Sequence, residues 1–228
     1  MGQARKVVVA THNEGKMREL RSILNGFLPH EGQRIELVSA GQLGLPDPVE
    51  TGTTFQQNAL IKAGRAARES GLPALADDSG LVVDVMGAAP GILSARWSGR
   101  HGDDQANLEL LLNQLNDIPD GHRGGRFVCA AALVIPDVPG YAVRGSQVTR
   151  TGEMPGSIIR QARGENGFGY DPIFVPRDQP RRARDQEPLT SAEMTSDEKN
   201  AISHRGKALA AIMPILVSWV LGDGRVRS

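Results

Sequence analysis

The chain has 228 residues, with 26 Lys and Arg against 26 Asp and Glu, and so carries no formal net charge. That length suffices for one large domain or two small lobes around a sizeable core. The charge balance argues against a globally basic nucleic-acid binder, although a local basic cleft stays open. The lone cysteine, Cys129, excludes an intrachain disulfide and sits in the apolar run Phe127–Ile135, where it reads as a buried thiol. The N-terminal Met1–Lys6 runs straight into a strand-like stretch too short for a signal peptide. Ala208–Leu221 is too short to span a bilayer and is interrupted by Pro214. The expectation is a cytoplasmic protein with no membrane and no nucleic-acid partner.

In chain order, Val7–Ala10 predicts a buried strand and Lys16–Leu24 a helix with Met17, Leu20, Ile23 and Leu24 on one face. Ile35–Ser39 predicts a second strand, followed by a Gly/Pro-rich loop from Gly41 to Gly52. Thr53 or Thr54 caps a helix running to about Ser70, which Gly71-Leu72-Pro73 stops. Ala74–Ala76 and Leu81–Val85 read as strands flanking an acidic turn. Asp103 or Asp104 opens a helix carrying Leu108, Leu111, Leu112 and Leu115 and ended by Pro119. Phe127–Ile135 and Tyr141–Arg150 read as neighbouring antiparallel strands, extended by Met154–Arg160. Pro176–Pro188 lacks periodicity and reads as an exposed, mobile loop. A helix from about Ser196 closes the chain. The sum is α/β with a mixed sheet.

Four polar clusters punctuate these elements. In Thr11-His12-Asn13-Glu14-Gly15-Lys16, a strand end, a Gly and a Lys at a helix start attract phosphate, without the spacing of a Walker motif. The alternative is an ordinary helix capped by Asn13. Asp77-Asp78-Ser79-Gly80 places two carboxylates on adjacent strand positions, which face opposite sides. One of them, with Glu50 from the preceding loop, offers the one or two carboxylates that Mg²⁺ takes alongside phosphates and water; the alternative is an Asp-rich turn. Gly167-Phe168-Gly169-Tyr170-Asp171 sets two aromatics among glycines, in a chain that is 4% aromatic. There Phe168 suits stacking on a nucleobase, or else both rings fill the core. Ser203-His204-Arg205, with Lys199 one turn earlier, reads as a base-reading cationic end or as surface charge. The five histidines show no metal-ligand spacing.

Together the residues resemble the inosine/xanthosine triphosphate pyrophosphatases, which remove deaminated purines from the nucleotide pool. The matching segments are A-T-H-N-E-G-K-x-x-E-L, E-T-G-x-T-F-x-x-N-A, A-D-D-S-G-L-x-V-D, A-P-G-I-x-S-A-R-W-S-G, G-F-G-Y-D-P-I-F and E-K-N-A-I-S-H-R-G-K-A-L, in order from Val7 to Leu209. The resemblance implies a single domain over residues 1–228, an elongated mixed sheet flanked by helices in two lobes with a central nucleotide cleft, and a homodimer. It implies Mg²⁺-dependent hydrolysis of purine nucleoside triphosphates such as ITP, dITP and XTP to monophosphate and pyrophosphate. By position, Thr11, His12, Asn13, Glu14, Gly15 and Lys16 hold the triphosphate. Asp78 is the catalytic carboxylate, Glu50 and Asp78 hold the metal, and Ser79 touches substrate. Phe168, Gly169, Tyr170, Asp171, Lys199, His204 and Arg205 match the base and sugar-phosphate contacts.

Three departures stand out. His12 replaces the family's usual Gly, Asn166 a frequent Gly, and the loop Arg177–Thr190 looks longer than usual. Two further readings compete: a nucleotide-sensing module without hydrolysis, and a pyrophosphatase for modified pyrimidines. The sensing module leaves the acidic pair unexplained, because carboxylates repel phosphate unless a cation intervenes.

Overall fold

The computed structural model describes residues 4–12, 14–25, 35–141, 143–183 and 187–221. Among the described residues, six strands form one mixed sheet: β1 (Arg5–Val9), β2 (Ile35–Ser39), β3 (Ala74–Val83), β4 (Gly124–Val134), β5 (Gln147–Ile158) and β6 (Phe174–Pro176). They lie in the order β2-β1-β3-β4-β5-β6. β1 runs parallel to β2 and to β3, whereas β6 runs antiparallel to β5. Ile135 N–H donates to the Ser146 carbonyl and Ile158 N–H to the Arg123 carbonyl, the crossed order of an antiparallel β4–β5 pair. Helices α1 (Glu14–Asn25), α2 (Phe55–Ser70), α3 (Asp104–Gln114), α4 (Ser196–Ile202) and α5 (His204–Leu221) flank the sheet.

The chain divides into two compact units: residues 1–78, 130–151 and 207–228 in one, 79–129 and 152–206 in the other. In the first, Val8, Ala66, Ala67 and Ala74 form a small-residue core edged by Val38, Leu45, Leu72 and Val134. In the second, Leu81, Leu108, Leu111, Leu115, Phe127, Met154, Ile158 and Phe174 cluster, each large side chain worth ~1.5–3 kcal/mol on burial. Arg123 is almost completely buried there. Its guanidinium donates to the carbonyls of Leu115, Ile158 and Ile159, so the end of α3 and the end of β5 share one cation. Cys129 is buried. Among the described residues no helix is long and apolar enough to cross a membrane.

Several elements differ from the sequence reading. The acidic tetrad is no turn: Ala74–Val83 is one unbroken strand through Asp77 and Asp78. β3 pairs with β1 at Ala74 and Leu75 and has β4 as its other neighbour, so the segment through Asp77 and Asp78 runs on as a strand past the end of β1. β5 begins at Gln147, because Arg144-Gly145-Ser146 is turn and loop; it then runs on through Met154 to Ile158. α3 ends at Gln114, with Leu115 as its C-cap, ahead of Pro119.

The C-terminal helix is two helices. Ser203 is extended, and its Oγ accepts the Gly206 N–H at 2.9 Å, capping α5. Pro214 does not interrupt α5; Pro214 and Ala210, whose carbonyl it frees, lie on the exposed side of the helix. The loop after β6 is tied down over its described part. Gln179 Nε2 donates to the carbonyls of Pro176 and Leu189, and its Oε1 accepts the Leu189 N–H.

Candidate active site

Asp78 lies within β3, and α2 supplies the groups that meet it. Thr54 caps α2, accepting the Gln57 N–H at 3.2 Å, while Gln57 Oε1 accepts the Thr53 N–H at 2.7 Å. Asn58 and Lys62 then fall one turn apart on the same helix face. Asn58 Nδ2 donates to Asp78 Oδ2 at 3.3 Å, and the Lys62 ammonium to Asp78 Oδ1 at 2.9 Å. The same ammonium lies 2.8 Å from Glu50 Oε1. Gly52 ties the Glu50 loop to α2 by donating to Asn58 Oδ1 at 2.8 Å, and a Cβ at Gly52 would sit only 2.5 Å from that oxygen. Two carboxylates thus converge on one cation, with side chains 12% (Asp78), 26% (Glu50) and 14% (Lys62) exposed.

Burial pushes the Asp78 carboxyl above its ordinary range, against the pull of Lys62 and Asn58 and with help from the like charge of Glu50. Burial alone would lower Lys62, but Asp78 and Glu50 together hold it above its ordinary value. The ammonium therefore stays charged, and Asp78 is a stronger base than a free carboxylate. Among the described residues no group of three His, Cys, Asp or Glu side chains forms a ready metal cage. The Glu50–Asp78 pair nevertheless fits Mg²⁺, a hard cation that takes one or two carboxylates and completes its shell with water and phosphate.

The phosphate-loop candidates lie in the same unit. Thr11 is buried, with its N–H donating to the Val9 carbonyl. His12 turns toward the loop after β2: Nδ1 lies 3.0 Å from Asp47 Oδ1 and Nε2 3.0 Å from the Leu45 carbonyl. The His12 side chain thus leans on residues 45–47 and closely approaches Gly41. Asn13 lies outside the described residues. Glu14, Gly15 and Lys16 are described only as backbone in the first turn of α1, which begins at Glu14 rather than after Gly15.

The second unit holds the aromatic platform. Phe168 is 63% exposed, yet its loop is clamped from three directions. Its N–H donates to Asp171 Oδ2 at 2.9 Å, the Gly169 N–H to Asp104 Oδ2 at 2.9 Å, and the Tyr170 hydroxyl to the Ser94 carbonyl at 2.9 Å. Gly167 has φ +81°, and a Cβ there would collide with the Asp171 carboxylate. Lys199 Nζ donates to Asp171 Oδ2 at 2.5 Å and stands 5.2 Å from the centre of the Phe168 ring. Tyr170 and Asp171 are buried anchors, and burial raises the Tyr170 hydroxyl well above its ordinary pKa. Phe168 is the one ring of this cluster left open.

Arg205 Nη2 reaches Ser79 Oγ at 3.4 Å, joining the start of α5 to the residue after Asp78. The His204 ring stacks on Phe127 with centroids 5.0 Å apart and is buried. Sequence reasoning missed Asn58, Lys62, Ser94 and Asp104. For the first two a signal existed: they are polar residues on the stripe of α2 that otherwise buries Phe55, Ala59, Ala63 and Ala66. Ser94 and Asp104 act through backbone contacts that no spacing encodes.

Residues 7–215 match the Ham1 family model. The chain belongs to the Ham1 family. Similar relatives include the dITP/XTP pyrophosphatase of Bifidobacterium longum subsp. infantis, 56% identical over 92% of this chain and 98% of that protein. The dITP/XTP pyrophosphatase of Cutibacterium acnes is 51% identical over 95% and 98%. Among solved structures, the nucleoside-triphosphatase / dITP/XTP pyrophosphatase of Mycobacterium abscessus superimposes with TM-score 0.71 at 50% identity, covering 92% of this chain and 99% of that one. The HAM1 protein of Coxiella burnetii gives TM-score 0.78 at 37% identity, covering 94% and 99%.

Proposed function

We propose that this chain is a Mg²⁺-dependent pyrophosphatase of non-standard purine nucleoside triphosphates (ITP, dITP and XTP), releasing the monophosphate and pyrophosphate. The observation that carries the reading is the convergence of Glu50 and Asp78 on the single ammonium of Lys62. A carboxylate pair sharing one cation is out of place in a site that only binds phosphate, and apt in one that also holds a metal. The names of the relatives point the same way.

In this reading Glu50 and Asp78 hold Mg²⁺, which when bound neutralises phosphate oxygens. The remaining chemistry belongs to the chain. Lys62 keeps the two carboxylates in register and offers positive charge to the phosphates, as do Lys16 and the first-turn amides of α1. Asp78 accepts a proton from the water that attacks the α-phosphorus; the α–β bridging oxygen leaves with pyrophosphate. Positioned general-base help of this kind is worth ~10²–10⁴-fold.

Phe168 stacks on the purine, with Lys199 beneath the ring and Arg205 as donor to a 6-oxo group. Adenine presents an amino group at that position, and a site built around one hydrogen bond discriminates by roughly 10⁴–10⁵. Family likeness also implies a cytoplasmic homodimer, which size-exclusion chromatography with light scattering tests. The deciding experiment is a panel of ITP, dITP, XTP, GTP, ATP and methylated UTP with Mg²⁺, scored for pyrophosphate against orthophosphate. Orthophosphate release, or preference for the pyrimidine, overturns the proposal.

A further inference from the structure

The loop after β6 is anchored, through α4, to the loop that carries Phe168. Gln179 closes its base onto Pro176 and Leu189. From the short turn Arg181–Ala183, Arg182 reaches out to α4. Its Nε lies 2.8 Å from Glu198 Oε1, its Nη2 3.0 Å from Glu198 Oε2, and Nη2 also donates to the Glu193 carbonyl at 3.0 Å. This is the fork geometry that fixes a carboxylate in both position and plane.

Glu198 is also the inner member of the capping box that starts α4. Its Oε2 accepts the Thr195 N–H at 2.9 Å, while its own N–H donates to Thr195 Oγ1. One carboxylate therefore sets where α4 begins and where the loop ends. The next residue is Lys199, whose ammonium holds Asp171, and Asp171 in turn accepts the Phe168 N–H. The path Arg182–Glu198–Lys199–Asp171–Phe168 is continuous in hydrogen bonds and one peptide link, and lies wholly within one compact unit.

We propose that the arm Pro176–Ala183 is a brace for the base platform, with Arg182 as the positioning residue that sets Lys199 through the start of α4. This rests on the reading of Phe168 and Lys199 as the base site. Arg182 touches no substrate. Its effect is to keep the Lys199 ammonium and the Phe168 ring in one arrangement, so that a purine meets a preformed surface rather than ordering it on binding. The consequence falls on substrate binding, not on chemistry at the α-phosphorus.

The test is a double-mutant cycle of Arg182→Ala and Lys199→Ala, with kcat and KM for ITP measured by pyrophosphate release and thermal melting as the folding control. Arg182→Ala is expected to raise KM roughly three- to thirtyfold with kcat within about twofold, the range of couplings between neighbours in one network. In the Lys199→Ala background the same substitution should change KM by less than about twofold, because its route is already cut. Glu198→Gln, which keeps the cap acceptor but loses the charge, should resemble Arg182→Ala. An unchanged KM in Arg182→Ala, an equal loss in kcat, or full additivity with Lys199→Ala overturns the inference. Absence of ITP turnover by the parent removes the base-site reading and this inference with it, a result distinct from an active parent and an indifferent Arg182→Ala.

Discussion

Replacing Lys62 with Met tests the charge arrangement most directly. Met keeps the length and apolar stem of Lys while deleting the ammonium that lies 2.8 Å from Glu50 and 2.9 Å from Asp78. Both carboxylates are then left facing each other without a cation. Removing one partner of a fully buried pair costs about 3–5 kcal/mol. Because these side chains keep 12–26% exposure, a loss of about 2 kcal/mol is expected, or roughly 4–8 °C in Tm for a domain of this size.

Mg²⁺ should then stabilise the two proteins to different extents. In Lys62→Met it supplies the missing positive charge and restores much of the lost Tm; in the parent it competes with an ammonium already in place and raises Tm less. Differential scanning fluorimetry at neutral pH, with chelator and with Mg²⁺, reads both effects. Activity should fall as well, by about 10²-fold in kcat/KM if the ammonium also serves the phosphates. If Lys62→Met melts within about 1 °C of the parent under chelation, or if Mg²⁺ shifts both proteins equally, the shared-cation account is wrong.

Asp78→Asn should reduce pyrophosphate release from ITP by at least about 10²-fold, through loss of the base and a metal ligand, while the circular dichroism spectrum stays that of the parent; activity within threefold would remove Asp78 from the mechanism. Phe168→Ala should weaken ITP, XTP, GTP and ATP by similar factors, worth ~1–3 kcal/mol of stacking, whereas Arg205→Ala should lose ITP selectively. Equal scaling of all four by Arg205→Ala would make it a structural partner of Ser79. Glu198 has its carboxyl lowered from 4.5 to about 2, chiefly by the Arg182 hydrogen bond. A depressed carboxyl contributes stability above its unfolded value that fades as pH falls through the folded one. The Tm gap between parent and Glu198→Gln should therefore be constant above about pH 4.5 and close towards about pH 2; a gap that persists unchanged at the acid end refutes the assignment.

What the sequence determined by itself was local and repetitive. The boundaries of β2, the Thr54 cap of α2 and the leucine stripe of α3 follow from side-chain periodicity and cap chemistry, which act over one or two turns. The candidate residues Glu50, Asp78, Phe168 and Lys199 were legible because whole motifs carried them in order. Tertiary structure alone decided the rest. Whether Asp77-Asp78-Ser79-Gly80 turns or runs on depended on β3 continuing beside its neighbour β4 past the end of β1, since its local chemistry favours a turn. Lys62, 16 residues before Asp78 in the chain, became its partner only when α2 settled beside β3. The loop after β6 looked unstructured because its order comes from Gln179, Arg182 and Arg163 binding distant carbonyls and carboxylates rather than from any period of its own. Short-range propensity is written in neighbours along the chain, but a charged site is assembled by long-range closure, and its partners have no periodic spacing to betray them.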